Sequence, residues 1–136
     1  MGGAPLRLLL DTHVWIWSVL ATERLTRRVV RALESPENEL WLSPISTWEL
    51  LLLAERGRLV LNAGVDSWLA EALEKLPTRE AAITHEIARE SRRVRLAHDD
   101  PADRFLAASA KVLDLTLVTA DERLFKTPGL SVLANR

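Results

Sequence analysis

"LLLDTHVWIW", residues 8–17, decides the fold. An apolar run that halts at a carboxylate reads as a buried strand carrying an acid to its end. Leu6–Leu10 is that strand, and "THVWIWSVLA" follows as a helix with Asp11 or Thr12 at its start. If strands and helices keep alternating, the sheet is parallel and covered on both faces.

The alternation continues outward from there. "LTRRVVRALES" is an amphipathic helix: Leu25, Val29, Val30 and Leu33 share one face, and Arg27, Arg28 and Arg31 lie outside it. "PEN" is a turn and "ELWLS" a second strand. Ser43-Pro44 opens the helix "ISTWELLLLAERG", with a capping hydroxyl followed by proline, and Gly57 ends it. "SWLAEALEKL" is a fourth helix, stopped before Pro77. "REAAIT" reads as a strand, "THEIARESRRV" as a fifth helix, and "HDDPADRFLAASAKVLD" contains a sixth. "LTLVTA" is an apolar strand, "DERLF" one short helical turn, and "LSVLA" the last strand. The expectation is one α/β domain over residues 1–136, three layers deep, with a central parallel sheet.

Bulk properties narrow the function. The 136 residues are 48% hydrophobic and 27% charged, with a formal net charge of −1. No global basic field draws in nucleic acid, so any such contact must be local. The chain has no cysteine, which rules out disulfides and thiolate metal sites. The opening "MGGAPLRLLLD" has too short an apolar run for a signal peptide or membrane span, and the expectation is a cytoplasmic protein.

Four acids stand where apolar residues or strand ends belong. In parallel sheets, ligands bind beyond the carboxyl ends of the strands, which puts Asp11 and Asp121 at one rim. Asp103 lies three, four and seven residues before Leu106, Ala107 and Ala110, on the core side of its helix. Glu49 shares a face with Ile45, Leu52 and Leu53. A lone buried carboxylate is costly, so such groups are paired or hold a metal. Pairing is one reading, with Arg104 and Arg123 as partners of Asp103 or Asp121. The other is that Asp11, Glu49, Asp103 and Asp121 converge. Four carboxylates at close range need a cation, and all-oxygen donors suit Mg²⁺ or Mn²⁺. Such an ion can activate water and stabilise the leaving oxygen of a phosphodiester, which points to hydrolysis of a nucleic-acid backbone.

"LLLDTHVWIW", "SPISTWELLLL", "DPADRFLAASA" and "LTLVTADERLF" together resemble a PIN-domain ribonuclease, and most closely the toxins of VapBC-type toxin–antitoxin pairs. The resemblance covers nearly the whole chain. It implies a three-layer α/β/α fold, divalent-metal-dependent endoribonuclease activity and a cognate antitoxin. Residue by residue, it puts the acidic quartet on Asp11, Glu49, Asp103 and Asp121, and the hydroxyl before the last acid on Thr119. Asp11, Asp103 and Asp121 are the expected metal ligands. Asp100 also matches an acid frequent in this subgroup, and its place before Pro101 equally suits a helix cap.

Other residues carry smaller roles. Thr12 and Ser46 can orient carboxylates or waters, or cap their helices. Arg89, Arg92 and Arg93 are candidate phosphate contacts, or simply a solvated helix face. His13 can touch a phosphate or base, though metal-assisted hydrolysis does not require it. Two other phosphoryl readings fit less well. A haloacid-dehalogenase-like phosphatase needs a second aspartate where His13 stands, and a receiver domain needs a lysine where the late strand offers Asp121. A binding-only PIN module would be expected to lose acids, and none is missing.

Two helices carry more apolar residues than one face can hold. Leu50–Leu53 are four leucines in succession, and Trp15 and Trp17 point about 200° apart on the first helix. The expectation is a groove among the first four helices that takes an amphipathic partner helix, with Trp and Leu as anchors, or that forms part of a homodimer.

Overall fold

Parallel pairing runs through the whole sheet. The computed structural model describes residues 4–136. Within them the strands are β1 (Arg7–Leu10), β2 (Glu39–Leu42), β3 (Arg79–Glu80), β4 (Thr116–Thr119) and β5 (Val132–Ala134). The helices are α1 (Thr12–Leu20), α2 (Arg27–Glu34), α3 (Pro44–Glu55), α4 (Val65–Lys75), α5 (His85–Ser91) and α6 (Pro101–Val112). The strand order is β3-β2-β1-β4-β5. The chain builds outward from β1 to β3 on one side, then returns to lay β4 against the other side of β1. That reversal opens a crevice beyond the carboxyl ends of β1 and β4.

The leucine run of β1 is buried on both faces, as a central parallel strand must be. Leu8 and Leu10 enter one core with Trp15, Val29, Leu50 and Trp68 from α1, α2, α3 and α4. Leu9 enters the other with Leu106 and Ala110 of α6. A third cluster joins Ile87 and Val94 to Ala107 and Ala108, packing α5 against α6. α6 is covered on two sides, and its small residues allow both neighbours to come close. Helix signals read from the sequence act as expected. The Ser43 hydroxyl accepts from the Ile45 N–H (3.1 Å) with Pro44 following. Past α3, Gly57 takes a φ of +68°, which favours glycine.

Two expectations are revised and one element is added. The strand expected over 79–84 shrinks to Arg79–Glu80. The Ala81 N–H still reaches the Leu42 carbonyl (2.9 Å), but β2 ends there and the chain has no further partner. A 3₁₀ turn at Thr22–Arg24, not foreseen, links α1 to α2. Trp15 and Leu50 are not groove anchors, because both are fully buried inside the chain. Exposure falls instead on Leu20 and Trp48, while Leu51–Leu53 are half-buried. Among the described residues, no helix is long and apolar enough to cross a membrane.

Candidate active site

β1 extends by one bond past its last residue, with the Asp11 N–H donating to the Val118 carbonyl (3.0 Å). This holds Asp11 beside the end of β4. Asp11 then caps α1: its Oδ1 accepts from the Thr12 N–H at 2.7 Å. Its Oδ2 accepts from the Thr119 hydroxyl at 2.5 Å. Thr119 is fully buried, and its Oγ1 accepts in turn from the Asp121 N–H (3.0 Å). One hydroxyl therefore ties together the ends of two neighbouring strands.

Glu49 enters from α3. The Thr12 hydroxyl donates to its Oε1 and lies 2.9 Å from the Ser46 hydroxyl, with Thr12 and Ser46 both fully buried. Asp103 enters from the first turn of α6. Its N–H donates to the Asp100 Oδ1 (3.2 Å), so Asp100 caps α6 and also lines the site. The Oδ2 of Asp103 lies 2.6 Å from the His98 Nε2. Asp121 caps the 3₁₀ turn Glu122–Leu124 and is gripped by Arg123, with Nε to Oδ1 at 3.0 Å and Nη2 to Oδ2 at 2.8 Å.

These side chains open onto one cleft of about 300 Å³. Asp11, Glu49, Asp103 and Asp121 all line it, together with Asp100, His13, Trp17 and Arg123. Burial pushes the Asp11 and Glu49 carboxyls up from their ordinary values. It pushes Asp103 up to about 6, and the negative fields of Asp11 and Asp100 add to the effect. Asp121 goes the other way, held below the carboxylate range chiefly by its hydrogen bonds from Arg123. Three carboxyls crowded upward in one cleft are a donor set that a divalent cation would relieve. Their hard oxygens fit Mg²⁺ or Mn²⁺. Among the described residues, the tightest donor group is His98, Asp103 and Asp121, whose ligating atoms lie within 4.8 Å of one another. Asp11 lines the same cleft outside that group.

The arginines are arranged differently. Arg89, Arg92 and Arg93 are exposed on α5 and just past its end, and none lines the cleft. Arg104 pairs with Asp99 (2.7 Å) rather than with an acid of the quartet.

Residues 8–130 match the PIN domain. The chain belongs to the PIN-domain family. Over 118 residues, 86% of this chain and 88% of the relative, it is 36% identical to Ribonuclease VapC22 of Mycobacterium tuberculosis. The solved FitAcB of Neisseria gonorrhoeae matches at TM-score 0.65 and 28% identity, over 94% of this chain and 97% of that one. VapBC2 of Rickettsia felis, bound to a DNA fragment from its promoter, matches at TM-score 0.71 over 95% of this chain and 98% of that one. At 16% identity the second likeness is one of fold. In this PIN domain the sequence reading overlooked His98 as a neighbour of Asp103, and considered Arg123 only as a possible ion-pair partner. The signal for His98 was the stretch "HDDPAD", a loop histidine five residues before a core-facing aspartate.

Proposed function

We propose that this PIN domain, acting as one unit over residues 1–136, is a divalent-cation-dependent endoribonuclease and the toxin of a toxin–antitoxin pair. The observation that carries the reading is the cleft in which Asp11, Glu49, Asp103 and Asp121 meet at the β1/β4 switch point. Kinship with a VapC ribonuclease supports RNA as the substrate. The fold shared with solved toxin–antitoxin complexes supports a small antitoxin partner. A homodimer and a cytoplasmic location belong to the same proposal.

Asp11, Asp103 and Asp121 would hold Mg²⁺ or Mn²⁺, with His98 beside them. Bound there, the ion would supply an activated water and charge stabilisation at the phosphodiester. The chain's own groups do the remaining work. Thr12 and Thr119 fix Asp11 through its two oxygens, so its carboxylate cannot rotate. Asp100 fixes the first turn of α6 and with it Asp103. Glu49 is held at Oε1 by Thr12, and its raised proton affinity suits Oε2 to take a proton from the attacking water. Ser46 packs behind the Thr12 hydroxyl and keeps it aimed. Arg89, Arg92 and Arg93 attract the RNA backbone from outside the cleft. Cleavage of RNA by the wild type with Mg²⁺ or Mn²⁺, and its loss on chelation or in Asp11→Asn, is the expected result. A wild type that leaves RNA intact in either metal would refute the reading.

A further inference from the structure

Arg123 is the one Lys or Arg among the described residues that lines the acidic cleft. Its guanidinium takes both oxygens of Asp121, and its side chain is still 56% exposed. It therefore sits at the mouth of the cleft with donors left over for another acceptor. Asp121 is also one of the three groups whose donor atoms lie within 4.8 Å of one another. A divalent ion and a guanidinium on the same carboxylate repel each other, so they cannot share it at full strength. RNA, meanwhile, brings its phosphates toward a cleft walled by carboxylates. A planar fork beside that wall is the group best shaped to receive one.

We propose that Arg123 is a substrate-binding residue that alternates between two carriers of negative charge. It rests on Asp121, and it moves to a non-bridging phosphate oxygen of the RNA when a divalent cation takes Asp121. The inference rests on the ribonuclease reading above and deepens it. It gives Arg123 two effects of opposite sign: competition with the cation and attraction for the substrate. A guanidinium that only braced the turn after β4 would have neither.

The test uses the full chain and two variants, Arg123→Ala and Arg123→Lys, each checked for native circular dichroism. Mn²⁺ affinity is measured by titration calorimetry without RNA. Arg123→Ala should bind Mn²⁺ more tightly by roughly three- to tenfold, because a positive charge leaves the site. Arg123→Lys should lie between it and wild type. Binding of a short mixed-sequence single-stranded oligoribonucleotide is then followed by anisotropy over a salt series in Ca²⁺, with gels checking that the RNA stays intact. For Arg123→Ala the slope of log affinity against log salt should flatten by about 0.7, one phosphate contact. Arg123→Lys should keep the slope but lose affinity, because a point charge replaces a fork. Unchanged or weaker Mn²⁺ binding in Arg123→Ala overturns the proposal, and so does an unchanged salt slope. If the wild type binds no RNA, the ribonuclease reading itself fails, and the phosphate half of this proposal fails with it. The Mn²⁺ titration still decides the competition on its own.

Discussion

Asp11 and Asp121 begin from the same local pattern and end in opposite environments. Each follows a strand, and each caps the next helical turn. Asp11 is buried against two hydroxyl-bearing neighbours, Thr12 and Thr119, and burial raises its pKa. Asp121 stands at the mouth of the cleft in a guanidinium fork, which lowers its pKa. Cap chemistry is therefore no guide to the charge state of a strand-end acid. Depth and partner decide it: β1 is central and Asp11 at its end is buried against Thr12 and Thr119, whereas Asp121 in the turn after β4 meets the exposed Arg123.

That contrast can be broken from its deep end first. Asp11→Asn keeps the shape of the most buried acid and removes its charge. RNA cleavage should fall by roughly 10²–10³-fold or more, while the metal-free melting temperature holds or rises because crowding of like charge is relieved. A melting point well below wild type would make Asp11 a structural acid. Asp103→Asn should behave the same way.

pH separates the buried acids from Asp121. Asp103, raised to about 6, binds more protons folded than unfolded in the interval above its ordinary value of 3.8. Its stabilising contribution is present below the unfolded pKa and is lost as pH rises through the folded one. Asp11 and Glu49 shift in the same direction. In chelator, denaturant melts should therefore show stability falling between about pH 4 and pH 7. Asp121 opposes the trend, since its depressed pKa gives stability above its unfolded pKa that is lost as pH falls. A stability that rises steadily with pH would mean that the guanidinium side of the comparison dominates.

Thr119→Val tests the link between the two acids. It leaves the Asp11 Oδ2 and the Asp121 N–H without their shared hydroxyl. A loss of about 1–3 kcal/mol in chemical denaturation is expected, with cleavage reduced roughly tenfold or more. Wild-type stability would show that the tie is not needed. The smallest effect belongs to the outer arginines. Replacing Arg89, Arg92 and Arg93 by alanine should weaken RNA binding and flatten its salt dependence without altering Mn²⁺ affinity. An unchanged slope would leave them as a solvated helix face.

Much of this was written locally. The leucine run ending at Asp11, the Ser43-Pro44 and Asp100-Pro101 helix starts, and the alternation of strand and helix all act over a few residues. Hydrophobic period and capping chemistry need no distant partner to be read. The two-residue β3 was less legible, because its length depends on where β2 ends. The apolar excess of α1 and α3 was legible as an excess but not as a destination. Trp15 and Leu50 went into the core because α2 and α4 supply walls that no local pattern announces.

Period, caps and the order of elements along the chain dictate that Asp11 and Asp121 stand past strand ends, Asp103 in the first turn of a helix and Glu49 on a helix's apolar face. Their company is set by the folded chain: Thr119 across from Asp11, Thr12 and Ser46 behind Glu49, His98 on Asp103 and Arg123 on Asp121. The Asp11–Thr119 contact spans 108 residues and the Thr12–Glu49 contact 37. Such pairings are set by which strands lie side by side and how deeply each loop is roofed. Burial and hydrogen bonding act through space rather than along the chain, and they are what set the charge of each acid.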